Sequence, residues 1–199
     1  MDNFVNFSDA VSASFPPTGH VATAGDCGWG IADVEADGDL DLVSADGGGA
    51  NRIWLNDGTG QFVVGQSLGN AGSWTVVPPD IDSDGDTDLA YAIDGGGNQI
   101  WLNDGNGVFT AGQSMGNHST TGIDAFDADG DGDLDLATAN YQQPNRIWLN
   151  DGAGTLTDSG QSLGNSDSWS VAAFDVDADS DIDLVAANLV DSIRVWLNG

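Results

Sequence analysis

The chain has 199 residues and carries 32 acidic side chains against three arginines and no lysine, a formal charge of −29. That balance excludes nucleic acid as a partner, because binding phosphates needs cationic contacts, and it disfavours an anionic membrane surface. Forty per cent of the residues are hydrophobic and seven are Trp, so the charge does not signal disorder. All but one of the acids are Asp, the exception being Glu35. Asp is a poor helix and strand former and a good turn and metal residue, so the acid belongs in loops. The 29 glycines argue for many tight turns, and the single cysteine, Cys27, rules out an intramolecular disulfide.

Along the chain one string keeps returning. Ile-Trp-Leu-Asn stands at Ile53–Asn56, Ile100–Asn103 and Ile147–Asn150, with Val195–Asn198 as its last form. Subtracting positions, Trp54, Trp101, Trp148 and Trp196 lie 47, 47 and 48 residues apart. A period of roughly 40–50 residues points to propeller blades or helical arrays. No apolar period of 3.6 persists, and Gly or Asn-Asp-Gly clusters interrupt the chain at the spacing of short strands.

The second repeat predicts four strands. They are Ser73–Val77, Leu89–Ile93, Gln99–Asn103 and Val108–Ser114, with a Gly-rich turn over Asp94–Asn98. Four strands per repeat make one propeller blade. Pro78 and Pro79 suit the edge strand innermost in a blade. Ile100 and Leu102 face one way and Trp101 the other, as befits a blade packed between two neighbours.

The sequence therefore predicts an all-β fold, a β-propeller of four four-stranded blades forming one domain over 1–199. The blades are assigned to 17–69, 70–116, 117–164 and 165–199, the last holding three strands. Residues 1–16 are assigned as the closing strand of the last blade, because 4–11 resemble a fourth strand such as Gln61–Gln66. Closure removes exposed sheet edges. A ring closed within one chain is favoured over two chains forming an eight-bladed ring, so a monomer is expected and a homodimer is the alternative.

Each repeat holds one loop with acids at alternate positions. The loops carry Asp33, Glu35, Asp37, Asp39 and Asp41; Asp80, Asp82, Asp84, Asp86 and Asp88; Asp127, Asp129, Asp131, Asp133 and Asp135; and Asp175, Asp177, Asp179, Asp181 and Asp183. Alternate residues of a tight loop can aim short carboxylates at one point, and calcium takes about six to eight oxygens in flexible geometry. Zinc would want His or Cys. Up to four calcium ions, one per blade, are expected. The loops are not EF-hands, since position twelve is Ser44, Tyr91, Thr138 or Ala186 rather than Glu.

These loops resemble the FG-GAP/VCBS repeat family, found in integrin-α-like propellers and in a fungal propeller lectin. The resemblance runs from about residue 4 to 199. It implies that positions one, three, five and nine give side-chain oxygens and position seven a backbone carbonyl. Glu35 at position three and Ser180 in place of the sixth-position Gly depart from the pattern.

A second set of repeated strings offers a ligand surface. Gln66, Gln113 and Gln161 lie in Gly-Gln-Ser strings that end at Asn70, Asn117 and Asn165, with Trp74 and Trp169 following. Amides beside an aromatic ring suit a sugar's hydroxyls and its apolar face. The same residues also suit a fourth strand and its turn. No catalytic residues are assigned: His20 and His118 read as loop histidines, Cys27 as a packing substitution for Trp, and Asp124 and Asp158 as unlinked acids outside the repeat. Three readings stay open. The first is an extracellular, lectin-like carbohydrate-binding module. The others are a structural or protein-interaction propeller, including a self-assembling one, and a polysaccharide-active enzyme.

Overall fold

The computed structural model describes residues 26–69 and 72–199. Strands β1 (Asp26–Ala32), β2 (Asp41–Asp46), β3 (Asn51–Asn56) and β4 (Phe62–Leu68) form the first sheet. The second is β5 (Ser73–Val77), β6 (Leu89–Ile93), β7 (Gly96–Asn103) and β8 (Phe109–His118). The third is β9 (Thr120–Phe126), β10 (Asp135–Asn140), β11 (Arg146–Asn150) and β12 (Leu156–Asp158), and the last is β13 (Ser168–Phe174), β14 (Asp183–Asn188) and β15 (Arg194–Trp196). There is no helix among the described residues. Every sheet is an antiparallel meander in chain order, and the first strands β1, β5, β9 and β13 pack on one another in sequence. This is the all-β propeller of blade-sized sheets that the repeat predicts.

The repeat fixes the register. Trp54, Trp101, Trp148 and Trp196 oppose Leu42, Leu89, Leu136 and Leu184 on the neighbouring strand, in all four blades. Because side chains alternate between sheet faces, Ile100 and Leu102 enter the core between blades 2 and 3, while Trp101 turns to the core between blades 1 and 2. Three apolar clusters thus sit between successive blades. Fourth-strand side chains plug the first two: Phe109 reaches back against Val34 and Ile53, and Leu156 joins Ile81 and Ile100. Fully burying one such side chain is worth about 1.5–3 kcal/mol.

Inner strands meet at backbone distance where glycine allows it. A Cβ on Gly28 would lie 2.6 Å from the Trp74 carbonyl oxygen, and one on Gly122 would lie 2.9 Å from the Ser170 Cα. Pro78 and Pro79 follow β5, the edge strand of its sheet, as expected. Two local expectations shift. The Gly-rich turn is shorter, since Gly96–Asn98 already belong to β7. His118 is not in a loop but ends β8, opposite Gly96, because β8 runs longer than its apolar residues suggest. The closing strand over 1–16, His20 and Asn70 lie outside the described residues.

Candidate metal centres and the mouth of the inner strands

Each acidic loop joins the first two strands of a blade, and two left-handed residues bend it. In the second loop Ser83 has φ 58° and Gly85 has φ 95°. The sixth residue then donates its N–H to the first carboxylate: Gly38 to Asp33 at 2.9 Å, Gly85 to Asp80 at 3.1 Å, Gly132 to Asp127 at 3.0 Å and Ser180 to Asp175 at 3.1 Å. The position-five carboxylate accepts the N–H of position seven, as Asp84 does from Asp86 at 2.9 Å.

Position nine has a structural task that spacing did not reveal. Asp41, Asp88, Asp135 and Asp183 are all buried. One Asp88 oxygen accepts the Ile81 N–H at 3.0 Å and the other accepts the Asn103 N–H at 2.7 Å, tying the loop to the third strand. The other three repeats make the same pair of bonds, through Val34 and Asn56, Ala128 and Asn150, and Val176 and Asn198. The only sequence signal was that this Asp appears in every repeat.

Three loops gather carboxylate oxygens within 4.8 Å of one another: Asp80, Asp82 and Asp88; Asp127, Asp129 and Asp135; and Asp175, Asp177 and Asp183. These are positions one, three and nine. Among the described residues Asp33, Glu35 and Asp41 form no such triad, in keeping with the longer side chain of Glu35. In the second loop Asp80 Oδ1 and Asp82 Oδ1 are buried and have no hydrogen-bond partner. Burying a carboxylate oxygen unpaired is costly, so this cradle of hard oxygens fits a cation of the calcium type. Burial, only partly offset by the Asn103 and Ile81 N–H groups, pushes the Asp88 carboxyl up to about 6. Burial first, then the neighbouring Asp84 charge, raises Asp82. Asp41 and Asp135 are raised by burial as well.

In the first three loops the position-seven side chains are absent from the triads and meet a turn instead. Cβ atoms built on Gly58, Gly105 and Gly152 would lie 2.4–2.5 Å from the carboxylates of Asp39, Asp86 and Asp133. These acids therefore lean on the Asn-Asp-Gly turn of the same blade.

The ligand candidates separate into two groups. Gln66 donates to the Phe109 carbonyl and accepts from its N–H, both at 2.8 Å, and Gln113 does the same with Leu156 at 2.7 and 2.8 Å. Their amides staple neighbouring blades. Gln161, one repeat later, is exposed, as are Asn117 and Asn165. Trp74 and Trp169 come together at the start of the inner strands, ring centroids 5.3 Å apart and planes at 68°. Trp169 is exposed and Trp74 half-buried. Cys27 has the same place on β1 and is exposed, as Trp169 is. The off-repeat acids do have partners: Asp124 accepts the Ala173 N–H at 2.8 Å, and Asp158 lies 3.6 Å from Arg146.

The sequence matches the FG-GAP-like repeat in three overlapping windows, residues 33–91, 80–138 and 127–186. The chain belongs to that family. A search of curated proteins finds no significant match. Solved structures give the fold. SapL1 lectin, in complex with alpha methyl fucoside, superposes with a TM-score of 0.59 at 17% identity, over 86% of this chain and 61% of its own. BBS1N, in complex with ARL6DN, gives 0.59 at 14%, over 83% and 51%. The computationally designed Ika8 protein gives 0.55 at 14%, over 84% and 44%. The chain spans less than two thirds of each of these proteins. Among the described residues, no helix is long and apolar enough to cross a membrane.

Proposed function

We propose that this protein is a calcium-stabilised propeller that binds carbohydrate outside the cell and catalyses nothing. The calcium half rests on the buried, unpartnered oxygens of Asp80 and Asp82 beside Asp88. Calcium, when bound, supplies the positive charge that offsets the crowded carboxylates. The chain's own part is to hold those oxygens: Gly85 and Ile81 N–H groups orient Asp80 and Asp88, and the left-handed Ser83 and Gly85 close the loop. Loops of this kind fill readily at extracellular, millimolar calcium.

The carbohydrate half rests on the Trp74–Trp169 pair, an aromatic platform with an exposed ring. Such a ring suits the apolar face of a sugar, with Asn165 an exposed amide in the same repeat as Trp169 and Asn117 an exposed amide in the one before. The likeness to SapL1, a lectin seen with alpha methyl fucoside, supports the class without naming the sugar. Against catalysis, the acids recur with the blades, and Asp124 and Asp158 are committed to Ala173 and Arg146. The test is a glycan array with the wild-type chain and Trp169→Ala, both in calcium. Binding that Trp169→Ala weakens at least tenfold, with an unchanged melt, supports the reading; silence across a broad array contradicts it. A second reading, a self-assembling propeller, is favoured by the exposed apolar residues of the two end blades.

A further inference from the structure

The three blade junctions repeat one interface, and many of its apolar positions reappear exposed at both ends of the row. On the leading face, Ile53, Ile100 and Ile147 are buried against the next blade, whereas Val195 at the same position of blade 4 is 47% exposed. Phe126 is buried and its counterpart Phe174 is exposed; Val34 and Ile81 are buried and Val176 is exposed. On the trailing face, Val76, Ile123 and Val171 are buried while Trp29 in blade 1 is 39% exposed. Leu40 is exposed where Ile182 packs into the junction of blades 3 and 4. Trp54, which corresponds to Trp101, Trp148 and Trp196 on this face, is buried, so the trailing face of blade 1 is open around Trp29 and Leu40 rather than throughout. Large apolar groups grouped on two end faces are unusual for a monomer and mark an interaction surface.

The polar ladder breaks off at the same two places. Asn103 donates to the Val34 carbonyl at 2.8 Å, Asn150 to Ile81 at 2.7 Å and Asn198 to Ala128 at 3.1 Å, each across a junction. The next acceptor in the series is the Val176 carbonyl and the next donor is Asn56, whose amide bonds to Leu40 of its own blade at 3.1 Å. The glutamine series stops likewise. Gln66 and Gln113 hold the fourth strand of the following blade, and Gln161 opens onto a groove lined by Phe126, Leu149, Leu163 and Trp196, where blade 4 has no fourth strand among the described residues.

We infer that these faces are filled by a second copy of the chain. The leading face of blade 4 receives blade 1 of the partner copy, reciprocally, so that two chains close one ring of eight blades. Continuity with an existing interface carries this. The exposed parts of these faces match the two halves of a junction already made three times, at the same apolar positions and with the next donor and acceptor of the Asn ladder. Such a contact is head-to-tail, and a head-to-tail contact ends only when the ring closes. The sequence alone favours closure within one chain; the exposure of both end faces favours the two-chain ring instead. In the designed Ika8 chain and in BBS1N, the part matched by this chain is about half of the molecule.

Sedimentation velocity at micromolar concentration in calcium is the test. The expected species has twice the 20.4 kDa chain mass. Leu197→Arg on the leading face and Leu40→Arg on the trailing face each lower it to a folded 20.4 kDa chain, checked by the tryptophan near-UV signal. Mixing the two variants restores the doubled mass, because one junction in the mixed pair is wild type on both sides. If Leu197→Arg does not fold, Asn56→Ala weakens dimerisation at least severalfold with the melt of each blade intact. A wild-type monomer, an open polymer, or variants that dimerise unchanged overturn the inference.

Discussion

Ser180 holds a backbone that glycine holds in the other three loops, with φ 84° against 94°, 95° and 98° at Gly38, Gly85 and Gly132. A side chain there costs about 1 kcal/mol. Ser180→Gly is therefore expected to raise the melting temperature by roughly 2–4 °C for a chain of this size, read by calorimetry. Gly105 is the opposite case. Its φ is 75° and a Cβ would lie 2.5 Å from the Asp86 carboxylate, so Gly105→Ala is expected to lower the melt with or without calcium. Within the second loop the side chains do different work. Asp82→Ala removes the carboxylate from the cradle, and with it the stabilisation from that ion, about 2.7 kcal/mol at a hundredfold excess over Kd. Asp86→Ala is expected to leave most of it, because that carboxylate faces the Gly105 turn. Calcium titration followed by melting separates the two variants. The alternate-acid spacing made the loop legible as a candidate metal site, and three of the loops do gather a carboxylate triad. That Asp88 also latches the loop to Asn103 was not legible, since nothing in a linear spacing shows which strand a carboxylate will meet.

At the level of the element, the strands were readable because each repeat says the same thing four times. β5 and β6 match the predicted spans, and the facing of Ile100 and Trp101 followed from simple alternation. The glutamine staples were not readable: a Gly-Gln-Ser string looks alike whether its amide meets solvent or the backbone of the next blade. Gln113→Ala leaves the Leu156 N–H and carbonyl without partners and is expected to cost about 1–3 kcal/mol, with calcium affinity unaltered. The loops also set the pH response. Asp88 is held near 6 in the metal-free fold, above the ordinary 3.8. Between those values the folded chain binds more protons than the unfolded one, so stability falls as pH rises through about 6. In chelator, the melting temperature should therefore climb when pH drops from 7 to 5. In calcium the trend should reverse, because protons then displace the ion. A melt rising with pH in chelator would remove burial of these carboxylates from the account.

For the whole molecule, blade number and fold class could be read from the period of the Ile-Trp-Leu-Asn string, and the FG-GAP-like repeat windows cover the same stretch. How the row of blades ends could not be read, because closure depends on curvature, which no single repeat encodes. The exposed Val195 and Leu197 face carries that information only in three dimensions. The same holds for the Trp74–Trp169 contact, between residues 95 positions apart by subtraction. What the account asks of the whole chain is that bound calcium, rather than the apolar junctions alone, holds the acidic loops of a molecule with formal charge −29 in their folded shape. Each filled site adds RT ln(1 + [L]/Kd) to stability, and the sites add up if the blades unfold together. The decisive measurement is a thermal melt of the same sample in millimolar calcium and after chelation, with residual metal assayed. The melting temperature is expected to be lower by roughly 10 °C or more without calcium and restored on adding it back. An identical melt in a sample verified to be metal-free would contradict it.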